Sequence, residues 1–436
     1  MVAAYKPVNH IEVYVWDQYV GAVAYDPGIG YYVFAYDPAF AKAKIELAPL
    51  RMPLTEKSRI YTFPDLPDLT YKRLPALLAD SLPDDFGNAL VEAYMAERGV
   101  TRELVTPLDR LAYMGKRAMG ALEFVPSRGP RHRTPTALDL DTLITSARAA
   151  LQGSIAIEAE SQKALQQMID VGTSAGGARA KAVIAWNRDT QEILSGQLEA
   201  PPGFEHWLLK FDGMGKDRDL GGTQGYGCIE YAYYLMAIAA GIGMSESRVL
   251  KENGRTHFMT KRFDRGPGGV KHHMQTLCAI DHLDYKKPGT HAYEQLFIAS
   301  QDARLRLGHD ADVEIFRRMV FNVMARNCDD HTKNVSFLLR RGGAWELAPA
   351  YDLTFCYNPD SVWVRQHQMS VSGKFIGISR ADCMRLADRF GVGEAKTVIE
   401  EVRAAVGRWQ QFASEAQVPE DEARRISKLH ELSAFS

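Results

Sequence analysis

The sequence predicts an α+β protein with a β-rich N-terminal lobe and a mostly helical C-terminal lobe. Two observations predict it. The first 70 residues alternate with period 2 and are rich in Tyr, Val and Phe, whereas the later part of the chain follows helical spacing. No internal repeat, heptad array or low-complexity tract interrupts that order.

The elements follow in turn. IEVYVWDQYVGAVAYD and YYVFAYD, punctuated by Gly and Pro, read as short antiparallel strands. From Leu74 the pattern turns helical, with Asp84 and Asp85 as candidate N-terminal caps and Gly99 as a stop. VPSRGPRHRTPT (Val125 to Thr136) reads as a solvated linker and is the most basic short run in the chain. Beyond it come a helical segment from Asp139 to Asp170, a Gly/Ala loop, and the strands KAVIAW and HWLLKFD. A helix through Tyr231 and the strand FMTKRFD follow, and the remainder is helical apart from one hairpin between Val335 and Leu347. The expected division is 1–125 as an N-terminal β-rich and helical subdomain and 126–138 as a linker. Residues 139–264 would form the nucleotide-binding part of a core, and 265–436 a helical lobe.

Composition bounds the function. With 46 % hydrophobic and 24 % charged residues the chain is of ordinary globular type. A net charge of −2 makes no global case for nucleic acid or an anionic membrane. The five cysteines (Cys228, Cys278, Cys328, Cys356, Cys383) lack CxxC spacing, which argues against a zinc site or a disulfide framework. MVAAYKPVNH has no apolar signal core, and YAYYLMAIAAGIGM is too short to span a bilayer, so a soluble cytoplasmic protein is expected.

The informative stretch is RNCDDHTKNVSFLL, from Arg326 to Leu339. It follows an apolar helical face (Ile315, Phe316, Met319, Val320, Val323, Met324) and leads into the hairpin VSFLL-RRGG-AWELAPAYDLTF. Because hairpin strands run antiparallel, Asn334 before the first and Asp352 after the second lie near one open end, with Asp329 in the loop beside it. Two carboxylates and a carboxamide suit Mg²⁺, which shares its shell with water and substrate phosphates. One Asp accepting a hydroxyl proton while Asn and a second Asp hold metal is the arrangement of phosphoryl transfer. Asp330 alone is better read as structural, a cap on the turn.

A phosphate end is also legible. Small residues from Gly172 to Ala180 let backbone N–H groups approach phosphate oxygens, and Lys181 adds a charge where a strand begins. This is no Walker A loop, because Ala182 follows the lysine. Ser174 is the hydroxyl of that loop most open to modification. Lys210, on one strand face with Leu208, is a second candidate for phosphates, with Glu230 as a possible partner and a helix-terminal charge as the simpler reading of Glu230. KRFD, before the loop RGPGG, is a candidate hinge binding adenine through backbone groups. His272 and His273 lack carboxylate partners at ligand spacing and read as a polar loop or core pair.

Together these residues resemble the HipA family of toxin serine/threonine kinases from bacterial toxin–antitoxin modules. CDDHTKN is similar to the family's D-x-H-x-K-N catalytic loop, LAPAYDLT to its metal-binding segment, and SAGGARAK to its nucleotide loop. LADSLPDDFGNAL and YMGKRAMGALEFVP are similar to its N-terminal region. The resemblance implies a two-lobed protein-kinase-like fold, with Asp329 catalytic, Asn334 and Asp352 holding Mg²⁺, and Ser174 autophosphorylated. It implies ATP contacts at Gly176, Gly177, Ala178, Arg179, Ala180, Lys181, Lys210, Lys261, Arg262, Phe263, His331, Lys333 and Tyr351. Departures are Arg179 for Gln, Gly176 for Ala, and Lys261 for an acidic hinge residue. The implied partners are a protein substrate such as an aminoacyl-tRNA synthetase and a helix-turn-helix antitoxin, with DNA reached only through the antitoxin.

Three other readings remain open on the residues. An aminoglycoside-type small-molecule kinase uses a similar Asp/Asn/Asp set, and an antitoxin-binding corepressor would keep the fold with vestigial catalysis. A phosphohydrolase built on His331 lacks a second histidine at metal spacing.

Overall fold

The computed structural model describes residues 5–55, 59–83, 85–130, 180–197, 199–212 and 225–436. The caps at Asp84, the linker beyond residue 130, the helical segment from Asp139 to Asp170 and the loop from Gly172 to Arg179 lie outside the described residues. The architecture is α+β, with a β-rich N-terminal region and a mostly helical C-terminal part, as the sequence predicts. Two compact units divide the chain: one of residues 1–215, 261–275 and 339–342, the other of residues 216–260, 276–338 and 343–436.

In the first unit, β1 (His10–Val15), β2 (Gln18–Asp26), β3 (Tyr31–Tyr36), β4 (Ile60–Tyr61) and β5 (Leu122–Val125) form one sheet in the order β4-β3-β2-β1-β5. Alternation explains it: Ile11, Val13 and Val15 are fully buried and the residues between them are not. The two-residue turn joining β1 to β2 has positive φ at both Trp16 (50°) and Asp17 (64°), the twist that suits a tight hairpin. Gly21 is required where β2 meets β3, because a Cβ there would lie 2.1 Å from the Ala35 carbonyl oxygen.

The same unit holds β6 (Lys181–Asn187), antiparallel to both β7 (Ile193–Ser195) and β8 (Phe204–Lys210). Lys181 through Trp186 are buried, the mark of a strand covered on both faces. Along β8 the expected alternation holds, with Trp207 and Leu209 fully buried and Leu208 and Lys210 partly exposed.

In the second unit the helix Tyr226–Ala239 packs so closely on a strand that Gly227 leaves no room for a side chain; a Cβ would meet the Thr256 carbonyl oxygen at 1.9 Å. That strand, β10 (Arg255–Lys261), pairs with β9 (Ser247–Glu252). The helix His309–Met324 buries the apolar face expected of it, and Phe321 besides. Arg317 ties it to its neighbours, donating to the Ala240 carbonyl at 2.7 Å and pairing with Glu401 at 2.5 Å. Helices Arg380–Phe390, Ala395–Gly407, Trp409–Glu415 and Glu420–Ser427 complete the unit. The hairpin is present as strands Ser336–Leu339 and Trp345–Leu347. The short strands His273–Thr276, His291–Ala292 and Met369–Ser370 were not expected, since two to four residues carry no readable period.

All five cysteines are buried thiols. Among the described residues no helix is long and apolar enough to cross a membrane.

Candidate active site

The loop after the helix His309–Met324 is held by backbone before any side chain acts. Arg326, at φ 55°, reverses the chain. Its carbonyl accepts from the Cys356 N–H at 3.1 Å, and the Cys328 N–H donates to the Cys356 carbonyl at 2.9 Å. The loop is thereby fastened to the segment that follows Asp352. A single 3₁₀ turn, Thr332–Asn334, delivers the chain to the hairpin, and the buried Thr332 hydroxyl donates to the Leu283 carbonyl at 2.7 Å.

The two adjacent aspartates are opposites. Asp329 keeps 44 % of its side chain exposed, and its Oδ1 lies 3.6 Å from His331 Nε2. Asp330 is wholly buried. Its Oδ2 accepts from the Tyr293 hydroxyl at 2.8 Å and from His367 Nδ1 at 2.9 Å, and its Oδ1 accepts from the Gln368 N–H at 2.7 Å. Asn322 donates to the same tyrosine oxygen at 3.0 Å and accepts from Asn327 at 2.9 Å, extending the network. Asp330 is therefore structural, as a core acceptor and not as the turn cap expected.

Asn334 and Asp352 come together as the hairpin geometry requires. Both line one small cavity, with Asp330, His331, Tyr351 and Leu353 among its walls. Asn334 Nδ2 donates to the Asp329 carbonyl at 2.8 Å, which leaves Oδ1 as the amide's acceptor. Asp352 sits in the left-handed region at φ 53°, a conformation Asp tolerates better than most residues. The Tyr351 hydroxyl donates to the Lys333 carbonyl at 2.8 Å and lies 2.6 Å from Ser336 Oγ, stitching loop to hairpin. Lys333 Nζ stands 5.2 Å from the Tyr285 ring centre.

The donor set fits a hard divalent cation of the Mg²⁺ kind: one carboxylate and one carboxamide oxygen at a small cavity, with the rest of the shell left to water and phosphate. Among the described residues no group of three or more His, Cys, Asp or Glu is placed to hold a metal by itself.

The phosphate-end candidates of the first unit are described from Ala180 onward. The Phe211 N–H donates to the Ala180 carbonyl at 3.0 Å, and Lys181 stands directly opposite Lys210 in the β6–β8 register. Ser174, Gly176, Gly177, Ala178 and Arg179 lie outside the described residues. Lys261 pairs with Glu205 at 2.5 Å. The Arg262 side chain, at the expected hinge, is engaged inside the fold. Its guanidinium forks onto buried Asp264 at 2.9 and 2.7 Å, and its N–H donates to the His206 carbonyl at 2.9 Å. Asp264 also accepts from the Gly120 N–H at 2.7 Å and from Arg265 at 2.8 Å. Burial opposes the Asp264 charge, yet the two guanidiniums hold its carboxyl well below the usual range.

Glu230 is no surface charge at a helix start. It lies in the second turn of its helix and is 3 % exposed. His272 and His273 are core histidines: His272 Nε2 lies 3.1 Å from Arg340 Nη1, and His273 Nε2 lies 2.9 Å from the Leu47 carbonyl oxygen. Burial lowers the His273 pKa to about 4. Sequence reasoning missed Tyr293, His367 and Gln368, which share no motif or spacing with the loop they hold.

Residues 173–410 match the HipA-like C-terminal domain, and residues 11–125 match the HipA N-terminal domain. The chain belongs to the HipA family. It is similar in fold to a chain of the Shewanella oneidensis MR-1 toxin–antitoxin complex of HipA, HipB and operator DNA. That likeness covers 96 % of this chain and 94 % of that one, at a TM-score of 0.64 and 15 % identity. The Helicobacter pylori proinflammatory kinase CtkA superposes over 58 % of this chain and 94 % of its own, at a TM-score of 0.36 and 14 % identity. No curated protein matches the chain in sequence.

Proposed function

We propose that this HipA-family chain is a Mg·ATP-dependent serine/threonine protein kinase and the toxin of a toxin–antitoxin module, acting in the cytoplasm. The observation that carries the reading is the shared cavity of Asn334 and Asp352, with Asn334 bonded to the backbone of Asp329. In this reading Asp329 accepts the proton of an attacking hydroxyl as the O–P bond to the γ-phosphoryl group forms and ADP leaves. Its half-exposed carboxylate suits a hydroxyl carried on a large substrate. His331 stands beside that carboxylate, its Nε2 3.6 Å from Oδ1, and Tyr351 keeps the loop on the hairpin. Magnesium, held by Asn334 and Asp352, would neutralise phosphate charge and align the γ-phosphoryl group. Lys181 and Lys210, facing each other across β6 and β8, would offer positive charge to the nucleotide phosphates. His331, Lys333, Tyr351 and the backbone of Lys261, Arg262 and Phe263 would complete the ATP contacts, together with the loop Gly176 to Ala180.

Within this reading residues 1–125 are the HipA-type N-terminal subdomain, 126–138 the linker, 139–264 the nucleotide-binding part and 265–436 the lobe with catalytic loop and hairpin. The substrate would be a translation-related protein such as an aminoacyl-tRNA synthetase. A helix-turn-helix antitoxin would bring the chain to operator DNA, as a HipB accompanies HipA in the Shewanella complex. Ser174 would be phosphorylated by a second copy. Close to two added negative charges facing the nucleotide's phosphates would drive its loop outward and switch the kinase off.

The test is incubation with labelled ATP and a cell lysate, with phosphorylated residues mapped by mass spectrometry and the intact mass of the chain followed. Phosphoserine or phosphothreonine on a lysate protein, dependent on Mg²⁺ and lost in Asp329→Asn, is expected. Label confined to small molecules, or none at all, would overturn the reading. An unmodified Ser174 would remove the switch alone.

A further inference from the structure

One imidazole grips both neighbours of Asp329. His367, 2 % exposed, places Nδ1 2.9 Å from the Asp330 carboxylate and Nε2 3.9 Å from Cys328 Sγ. Cys328 and Asp330 are themselves buried, at 0 % and 3 % exposure, so water does not compete for either contact. Nδ1–H donates to the carboxylate, while Nε2 either accepts from the Cys328 thiol or, in the doubly protonated ring, donates to the sulfur. Burial alone would disfavour that form, but Cys328 and Asp330 outweigh it and hold the His367 pKa well above the ordinary histidine value. Asp329, between the gripped residues, has no comparable burial, so the direction of its carboxylate depends on how firmly its flanks are held.

We infer that His367 is a positioning residue for phosphoryl transfer, fixing the Asp329 carboxylate by holding Asp330 on one side and Cys328 on the other. The inference rests on the kinase reading above. His367 and its neighbour Gln368, whose N–H reaches Asp330, come from the segment downstream of Asp352. The clamp thus joins the chain after the second metal-binding candidate to the loop of the proposed base. A merely structural histidine would stabilise the fold without setting the rate of transfer.

Two amide variants separate these roles. His367→Asn sets an amide donor where Nδ1 lies and keeps the bond to Asp330. His367→Gln sends its amide toward the Nε2 position and loses that bond. The purified full chain, labelled ATP and a cell lysate as acceptor give initial rates of phosphate incorporation over a range of Mg·ATP concentrations. The expected result is a maximal rate lowered on the order of 10²-fold in His367→Gln and His367→Leu, the scale of a misplaced reacting group, with the KM for ATP changed by no more than about twofold. His367→Asn should stay within about tenfold of the wild type. If His367→Leu does not fold, the Asn and Gln pair decides. Equal impairment of both, wild-type rates in Gln, or a rate loss matched by a rise in KM would each overturn the clamp. If the wild type transfers no phosphate, the kinase reading fails and the clamp with it. An active wild type with an equally active His367→Gln removes the clamp alone.

Discussion

Asp329→Asn and Asp330→Asn, one position apart, should differ sharply in their effect on stability. Asp330 accepts three hydrogen bonds within 2.9 Å and faces a histidine buried beside it. Asparagine keeps one acceptor oxygen but turns an NH₂ toward donors and leaves the imidazolium without its counter-charge. Removing one partner of a buried pair costs about 3–5 kcal/mol. In a unit of roughly 200 residues each kcal/mol lowers Tm by about 2–4 °C, so Asp330→Asn should melt about 6–20 °C below the wild type. The sign with pH follows from the raised His367 pKa. That pair's stability is fully present below the unfolded histidine pKa of about 6.5 and is lost as pH rises through the higher folded value. The gap between variant and wild type should therefore be widest near pH 6 and narrow in alkali. Asp329→Asn, with a half-exposed side chain, should shift stability by no more than about 0.5 kcal/mol while lowering phosphoryl transfer by about 10²–10⁴-fold. Thermal melts across pH and the labelled-ATP assay measure both. Should Asp329→Asn melt early and keep its activity, or Asp330→Asn melt with the wild type, the division of labour is wrong.

Asp352→Ala should weaken ATP binding by about 10–100-fold in Mg²⁺ and leave it unchanged in EDTA, read by calorimetry; equal wild-type affinity with and without Mg²⁺ would contradict the metal assignment. Lys210→Met should cost about 1.5–3 kcal/mol of ATP binding with no loss of Tm, and an unaltered affinity would remove Lys210 from the phosphate site. Burial, largest in each case, lowers the pKa of His206, His273 and His430 to about 4, with Arg262 and Arg265 adding to it at His206. These rings must stay neutral in the fold, so stability should fall as pH drops from about 6.5 toward 4, by up to about 1.4 kcal/mol per pH unit for each. A Tm that stays flat between pH 6.5 and pH 4.5 would refute this.

What the sequence revealed is what local chemistry determines. Alternation marked β1 to β3, helical spacing marked the buried face of His309–Met324, and a hairpin between Asn334 and Asp352 sufficed to bring those two residues to one cavity. Each is readable because its cause lies within a few residues of its effect. The clamp is different: His367 acts on Asp330 across 37 positions, and the Asp264 carboxylate reaches the Gly120 N–H across 144. No periodicity reports such pairings, and nothing in KRFD says that the Arg262 side chain turns inward to the aspartate.

The pair Asp329–Asp330 shows where the boundary falls. The motif spacing singles out Asp329, yet as side chains the two are chemically alike. Burial separates them, because a carboxylate closed off by three donors at 2.7 to 2.9 Å cannot meet a substrate hydroxyl, whereas one with 44 % of its side chain exposed can. The enclosed aspartate still bears on the chemistry. Held from inside the core, it leaves its neighbour a fixed backbone from which to face solvent, and the accessible carboxylate gains direction without giving up its exposure.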